Sequence, residues 1–250
     1  MKINKFSKKK DGMYSITLED DTKLLVHEDL ILKYELLIKK KFTDSEKEQI
    51  LEENLIYIAY NLALKYITKK MRSRKEVEEY LKSQKVDSFI IERVIEMLDS
   101  AKYIDEETYA ISFINDKILL TNDGPNKVIK ALLEKEIKQD IIHRYIEIFN
   151  EEIQVEKITK LITKMIKTNR NKSAHLLKNK IIEYLVNLGY DRIIIMNCLD
   201  NTDIVDDENM IKKEYQKIYN KLSKKYSGKE LEYKVRQKMY SLGFSTNYME

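Results

Sequence analysis

Hydrophobic and polar positions change their period once along this chain. From the start to about His27, Ile3, Phe6, Tyr14, Ile16, Leu18, Leu24 and Val26 sit in short, partly alternating runs, broken at Lys10-Asp11-Gly12 and at Asp20-Asp21. Alternation with a period of two is the mark of a half-buried strand, and Asp-Gly is a hairpin turn signal. Two or three antiparallel strands are therefore predicted over residues 2–27. So small a sheet is marginal in water by itself and should pack on the helices after it. From Thr43 onward the apolar residues recur at helical spacing. Thr43 with Glu46, and Ser73 with Glu76, have the Ser/Thr-x-x-Glu pattern of a capping box, which marks a helix start. The first predicts a long helix reaching Lys70. The second predicts a shorter one whose apolar face carries Val77, Tyr80 and Leu81. Asp87 or Ser88 starts a third helix, and Asp105 caps a fourth, with Glu106 and Glu107 placed favourably in its first turn.

The helical pattern repeats. An offset of 51 residues sets Val86 on Ile137, Leu81 on Leu132, and Ser73-Arg74 on Gly124-Pro125. Ser and Gly both serve as N-caps, and proline is favoured at the first helical position. An offset of 104 sets Tyr190 on Val86, Leu185 on Leu81 and Ile181 on Val77, with the helix start moved back to Ser173. A fourth copy sets Phe244 on Val86 and Met239 on Leu81, and begins with its own capping-box pattern, Ser227 to Glu230. Each copy reads as a long helix, a capped middle helix and a short aliphatic helix. Units of this size bury little alone and share a core with their neighbours. The fold class expected is mainly α: tandem three-helix repeats in an elongated, curved array, preceded by a small antiparallel β element. The expected divisions are a β-rich extension over 1–42, repeats over 43–104, 105–149 and 150–204, and a truncated repeat over 205–250.

Composition narrows the picture. In 250 residues there are only five glycines and one proline, too few for extensive turn-rich β structure. A hydrophobic content of 43% supports a substantial core, while 46 Lys+Arg against 42 Asp+Glu leave a net charge of +4, too small to signal a nucleic-acid binder by itself. The lone Cys198 cannot form an intramolecular disulfide and suits a reducing compartment, as a small buried hydrophobe beside Met196 and Leu199. The start, MKINKFSKKK, has no apolar signal region, and no run is long enough to span a bilayer, so a cytoplasmic protein without membrane contact is expected.

RSRKEVEEYL (72–81), DSFIIERVIEML (87–98), YIDEETYAISFI (103–114) and GPNKVIKALLEKEI (124–137) resemble, in order and spacing, the RecX regulatory proteins, and the resemblance runs from about Tyr60 to Phe244. The chain departs from the family pattern at Asp105-Glu106, where two aspartates are common, and at Lys85 and Glu136, where glycine is common; Gly189 and Gly243 keep that glycine. The resemblance implies a non-catalytic modulator of the RecA recombinase that lodges in the groove of the RecA filament on single-stranded DNA and restrains ATP turnover and strand exchange, with roles in recombination, repair and the SOS response. It implies no cofactor, and a monomer with at most weak direct DNA binding is expected. The rival reading is a stand-alone DNA-binding helical-repeat protein.

The candidate chemistry agrees with a binding role. His27, His143 and His175 are scattered, at no metal-ligand spacing, and no Gly-rich phosphate loop exists. One segment differs from the mixed charge elsewhere: Lys157, Lys160, Lys164, Lys167, Arg170, Lys172, Lys178 and Lys180 occur over 157–182 with no acid among them. The first four share one helix face, opposite Ile158, Leu161, Ile162, Met165 and Ile166. Such a basic stripe could follow DNA phosphates or an acidic protein groove, or simply be a solvated surface. A second patch comprises Lys65, Lys69, Lys70, Arg72, Arg74 and Lys75, and Lys127 and Lys130 occupy the matching helix of the second repeat. Arg72 and Arg74 are also expected to pair with Glu78 or Glu79. Tyr66, Tyr80, Tyr103 and Tyr145 read as core edges, Tyr109 and Ala110 as packing between helices. Tyr and Arg do not interleave densely enough in the sequence to predict a base-stacking platform.

Overall fold

The computed structural model describes residues 1–169, 173–206 and 208–244. Strands β1 (Ile3–Lys8), β2 (Met13–Leu18) and β3 (Lys23–His27) form an antiparallel sheet in the order β1-β2-β3. Both turns form where they were expected. Asp11 and Gly12 take φ of 59° and 69°, the left-handed pair of a type I′ hairpin turn, and Asp21 at 61° closes the second. The sheet buries Ile3, Ile16, Leu18 and Val26 on one face, against Leu30, Ile31, Leu36, Phe42 and Ile50. Two short helices, α1 (Glu28–Lys33) and α2 (Leu36–Lys39), occupy part of the stretch read as a β-rich extension; His27 caps the first, with Glu28 and Asp29 in its first turn.

Helix α3 (Asp44–Ile67) opens on the expected Thr43–Glu46 capping box. Its two halves bury different faces. Ile50 joins the sheet core, and buried Asn54 accepts from His27 N–H at 2.9 Å and donates to Leu25 C=O at 2.7 Å, fixing β3 to the helix. Ala59 and Ala63 then face α4 (Arg74–Ser83) and α5 (Ser88–Ser100), whose Val77, Leu81, Val94 and Leu98 are buried beside them. Further on come α6 (Glu106–Leu120), α7 (Pro125–Glu134), α8 (Gln139–Tyr145), α9 (Glu151–Thr168), α10 (Ala174–Asn187), α11 (Arg192–Asp200), α12 (Glu208–Leu222) and α13 (Gly228–Ser241). Two compact units result, one of residues 1–111 with 132–141, the other of 112–131 with the chain from 142 onward. No helix among the described residues is long and apolar enough to cross a membrane.

The four middle helices α4, α7, α10 and α13 end in the same way. Lys85, Glu136, Gly189 and Gly243 all have positive φ, at 61°, 60°, 92° and 80°. The N–H of the next residue, Val86, Ile137, Tyr190 or Phe244, reaches back to the carbonyl of Leu81, Leu132, Leu185 or Met239 at 3.1–3.2 Å. This is the six-to-one bond of a Schellman turn, and it carries an apolar residue back onto the helix it ends. Lys85 and Glu136 hold this conformation without the freedom of glycine, at a cost of about 1 kcal/mol each. The starts are less uniform. Ser73 and Ser173 cap as expected, but Ser227 makes no side-chain cap bond, and Gly228 at the first helical residue is left-handed (φ 57°).

Within each unit, the start of one middle helix meets the end of the next. In the first unit, Lys135 near the end of α7 pairs with Glu76 near the start of α4 at 3.0 Å, and Glu136 with Lys75 at 3.0 Å. In the second, Gly124 N–H donates to Leu188 C=O at 2.7 Å and Asn126 N–H to Gly189 C=O at 3.0 Å. There too, Ser173 Oγ donates to Leu242 C=O at 2.6 Å. Each contact brings the positive end of one helix dipole to the carbonyl end of another. The fit is tight at Gly124, where a Cβ would lie 2.6 Å from the Gly189 carbonyl carbon.

Candidate partner-binding surface

Arg72 and Arg74 sit at the start of α4 but do different things. Arg72 lies over Tyr66, its guanidinium carbon 4.2 Å from the ring centroid, and Tyr66 stacks in turn on Tyr80 at 4.1 Å. Its Nη1 is 3.7 Å from Glu76, and its Nε is buried without a hydrogen-bond partner. The Glu76 carboxylate collects donors: Ser73 N–H and Tyr109 O–H on Oε2, and Lys135 Nζ on Oε1, all at 3.0 Å. Burial works against its charge, but these hydrogen bonds and the Lys135 charge outweigh it and hold the carboxyl below the usual glutamate range. Burial, followed by the Glu76 charge and hydrogen bond, pushes the Tyr109 hydroxyl far above an ordinary tyrosine. Arg72 and Tyr109 are thus parts of a packed joint. The expected pairing of the two arginines with Glu78 or Glu79 does not form: their acids are Glu76 and Asp99. Glu76 is already drawn inward by its capping bond, and Asp99 is brought up by the end of α5.

Arg74 is the more exposed of the two. Its side chain lies between two surface clefts of the first unit, of about 420 and 400 Å³. The first is edged by Glu78, Lys82, Glu92 and Glu96, the second by Asp99, Lys102, Glu106 and Lys138. Walls of both signs suit a charged protein surface better than an apolar small molecule. Lys75 is held by Glu136, and Lys127 by Asp123 at 2.7 Å, an acid that Lys117 also reaches at 2.8 Å. Lys130 is exposed.

The basic stripe on α9 is shorter than its sequence spacing suggests. Lys157 turns away from it: its ammonium donates to Ile118 C=O and to Thr121 C=O (2.8 Å), the carbonyls that end α6, and lies 5.7 Å from the Phe149 ring centroid. Burial, and then the Lys160 charge, lower its pKa. Lys160 pairs with Glu156 one turn earlier, while Lys164 and Lys167 stand exposed. Ile158, Leu161 and Ile162 are buried on the opposite side, as expected. Arg170 and Lys172 lie outside the described residues. The structure therefore presents Lys160, Lys164 and Lys167 on α9 and, separately, Arg74 between the two clefts. The role of Lys135, which holds Glu76, has no sequence signal because its partner is 59 residues away. Tyr66, Tyr80 and Tyr145 are core edges as expected; Tyr103 is 52% exposed. Cys198 is buried.

Comparison with known proteins supplies the family. Residues 59–98 match the model for the first three-helix domain of RecX. The chain is 34% identical to the regulatory protein RecX of Streptococcus agalactiae serotype III (strain NEM316) over 98% of this chain and 95% of that one. It is 28% identical to the regulatory protein RecX of Listeria monocytogenes serotype 4a (strain HCC23), over 98% and 93% of the two chains. Among solved structures, a crystal structure of a regulatory protein RecX aligns over 80% of this chain and 98% of that one, with a TM-score of 0.71 at 24% identity, a likeness of fold. RecX from Lactobacillus salivarius aligns over 61% and 99%, with a TM-score of 0.57 at 27% identity.

Proposed function

The chain belongs to the RecX family of regulatory proteins, and from that premise we propose that it is a non-catalytic regulator that binds the RecA filament on single-stranded DNA and inhibits its ATP hydrolysis and strand exchange. The observation that carries this reading is likeness along nearly the whole chain to relatives named for regulation. The chemistry of the surface is compatible with it: exposed lysines and an arginine between mixed-charge clefts suit a large, charged partner. In this reading the repeats over 43–104, 105–149, 150–204 and 205–250 engage successive places along the filament groove. Arg74, Lys130, Lys160, Lys164 and Lys167 supply the charge that holds them there. Regulation is then a matter of linkage. A ligand that prefers one filament state shifts the population toward it, and several weak contacts on one chain give avidity without a deep pocket. The test is RecA ATP hydrolysis on single-stranded DNA titrated with the protein. Inhibition at or below one protein per RecA is expected, and no effect at any ratio would overturn the reading. The exposed α9 lysines also favour a second reading, direct binding to DNA phosphates, which requires tight, steeply salt-dependent binding to bare DNA.

A further inference from the structure

The last helix pair carries a surface that the family assignment leaves unexplained. Residues 208–241 hold ten lysines and arginines against four acids, a net +6 in a chain whose total is +4, so this basic surplus is local. Helix α13 buries Leu231, Val235 and Met239. Its other side presents Lys229, Tyr233, Arg236 and Tyr240, spaced by four, three and four residues and so aligned along one face. All four are exposed, and the two tyrosines are 63% and 73% accessible, unusually wet for such large apolar rings. Glu230 and Glu232 fall to either side of this line. Lys234 Nζ lies 6.0 Å from the Tyr233 ring centroid. Beside Tyr240 lies a cleft of about 380 Å³ lined also by His175, Leu176, Ser241, Gly243 and Phe244, a recess of mixed polar and apolar character large enough for a flat ring.

We infer that this face of α13 binds single-stranded DNA, with Tyr233 and Tyr240 stacking on bases and Lys229 and Arg236 holding the intervening phosphates. Alternating cations and exposed rings on one line are what unpaired bases on a charged backbone require. The rings stand about 10 Å apart along the helix, so each can take its own base. A duplex hides its base faces and could use only the cations; an acidic protein could also pack on the rings, but it would not need rings and cations in alternation along one line. The choice of DNA over RNA rests on the RecA reading proposed above; the surface chemistry itself does not. This is also the interleaving of Tyr and Arg not expected from the sequence, where Tyr233 and Arg236 are separated by buried or flanking residues and align only on the helix.

The test uses the full chain without RecA: anisotropy of a fluorescein-labelled oligo(dT) about 20 nucleotides long, at several salt concentrations. Replacing both tyrosines (Tyr233→Ala with Tyr240→Ala) should weaken binding about tenfold or more, since each stacked base contributes appreciably. The Tyr→Phe pair should stay within about twofold of the parent, and duplex binding should not respond to either pair. Lys229→Gln with Arg236→Gln should lower the slope of log K against log salt by about 1.4, that is, about 0.7 for each phosphate no longer neutralised. Circular dichroism confirms that each variant is folded. The proposal is overturned if the parent does not bind oligo(dT), if the alanine pair binds as tightly as the parent, or if the phenylalanine pair binds as weakly as the alanine pair. It is equally overturned if oligo(rU) is preferred to oligo(dT), or if poly-glutamate competes as well as oligo(dT), which would point to an acidic protein partner. RecA inhibition measured on the same variants separates the two readings, because oligonucleotide binding can fail while inhibition survives.

Discussion

At the scale of single residues, Glu76 does the most. It closes the capping box on Ser73, accepts from Tyr109 and Lys135, and stands 3.7 Å from Arg72. Breaking this part-buried network removes the acceptor shared by Ser73 N–H, Tyr109 O–H and Lys135, so Glu76→Ala should cost about 1–3 kcal/mol of stability. The pH dependence comes from its lowered pKa. A carboxyl whose folded value lies below its ordinary value of 4.5 contributes stability that is fully present above pH 4.5 and is lost as pH falls through the folded value. Thermal midpoints of the parent and of Glu76→Gln should therefore differ by a constant amount from pH 8 to about 6 and converge below about pH 4.5. A gap that persists undiminished to pH 3 would show that the charge of Glu76 is not the stabilising element of the joint. The Ser73–Glu76 contact was legible in the sequence because capping is local; the Tyr109 and Lys135 contacts, 33 and 59 residues away, were not.

At the scale of elements, the repeat lies in how helices end more than in how they begin. The four Schellman turns share one register, and the apolar residue after each was recognisable at its offset because it must pack back on its helix. The starts varied. Gly124 was readable as an acceptable N-cap, but the reason for glycine there is steric: a methyl group would press on the Gly189 carbonyl at 2.6 Å. Gly124→Ala should therefore separate the start of α7 from the end of α10 and destabilise the protein by about 2 kcal/mol or more, lowering the thermal midpoint by roughly 5 °C. A midpoint unchanged within a degree would mean that this junction yields without cost. The same non-local cause took Lys157 out of the stripe. Its spacing on α9 is right, but the open carbonyls at the end of α6 lie within its reach, and an unsatisfied helix end is a stronger claim on an ammonium than solvent is. Ser227 makes no cap bond, and the glycine next in the chain is left-handed.

At the scale of the whole molecule, the proposed regulation asks how a chain with a modest net charge, whose described clefts are open and of mixed charge, could act on a much larger assembly. Contacts of about 1 kcal/mol are each negligible, but when linked on one chain they multiply in equilibrium constant, so removing one patch should be felt without abolishing binding. The exposed α9 lysines allow a graded test. Neutralising Lys160, Lys164 and Lys167 together to Gln should raise the concentration needed for half-inhibition of RecA by roughly tenfold, about 1.4 kcal/mol spread over three surface charges, each worth less than 1 kcal/mol. The buried face of α9 is untouched, so the thermal midpoint should hold. Salt supplies the discriminating arm. If the lysines meet charge on the filament, the difference between parent and variant is large at low ionic strength and closes as salt rises, because exposed charges lose their reach once the screening length falls below about 10 Å. A variant that inhibits as well as the parent at low salt would place the contact elsewhere, with Arg74 between its two clefts as the next residue to change.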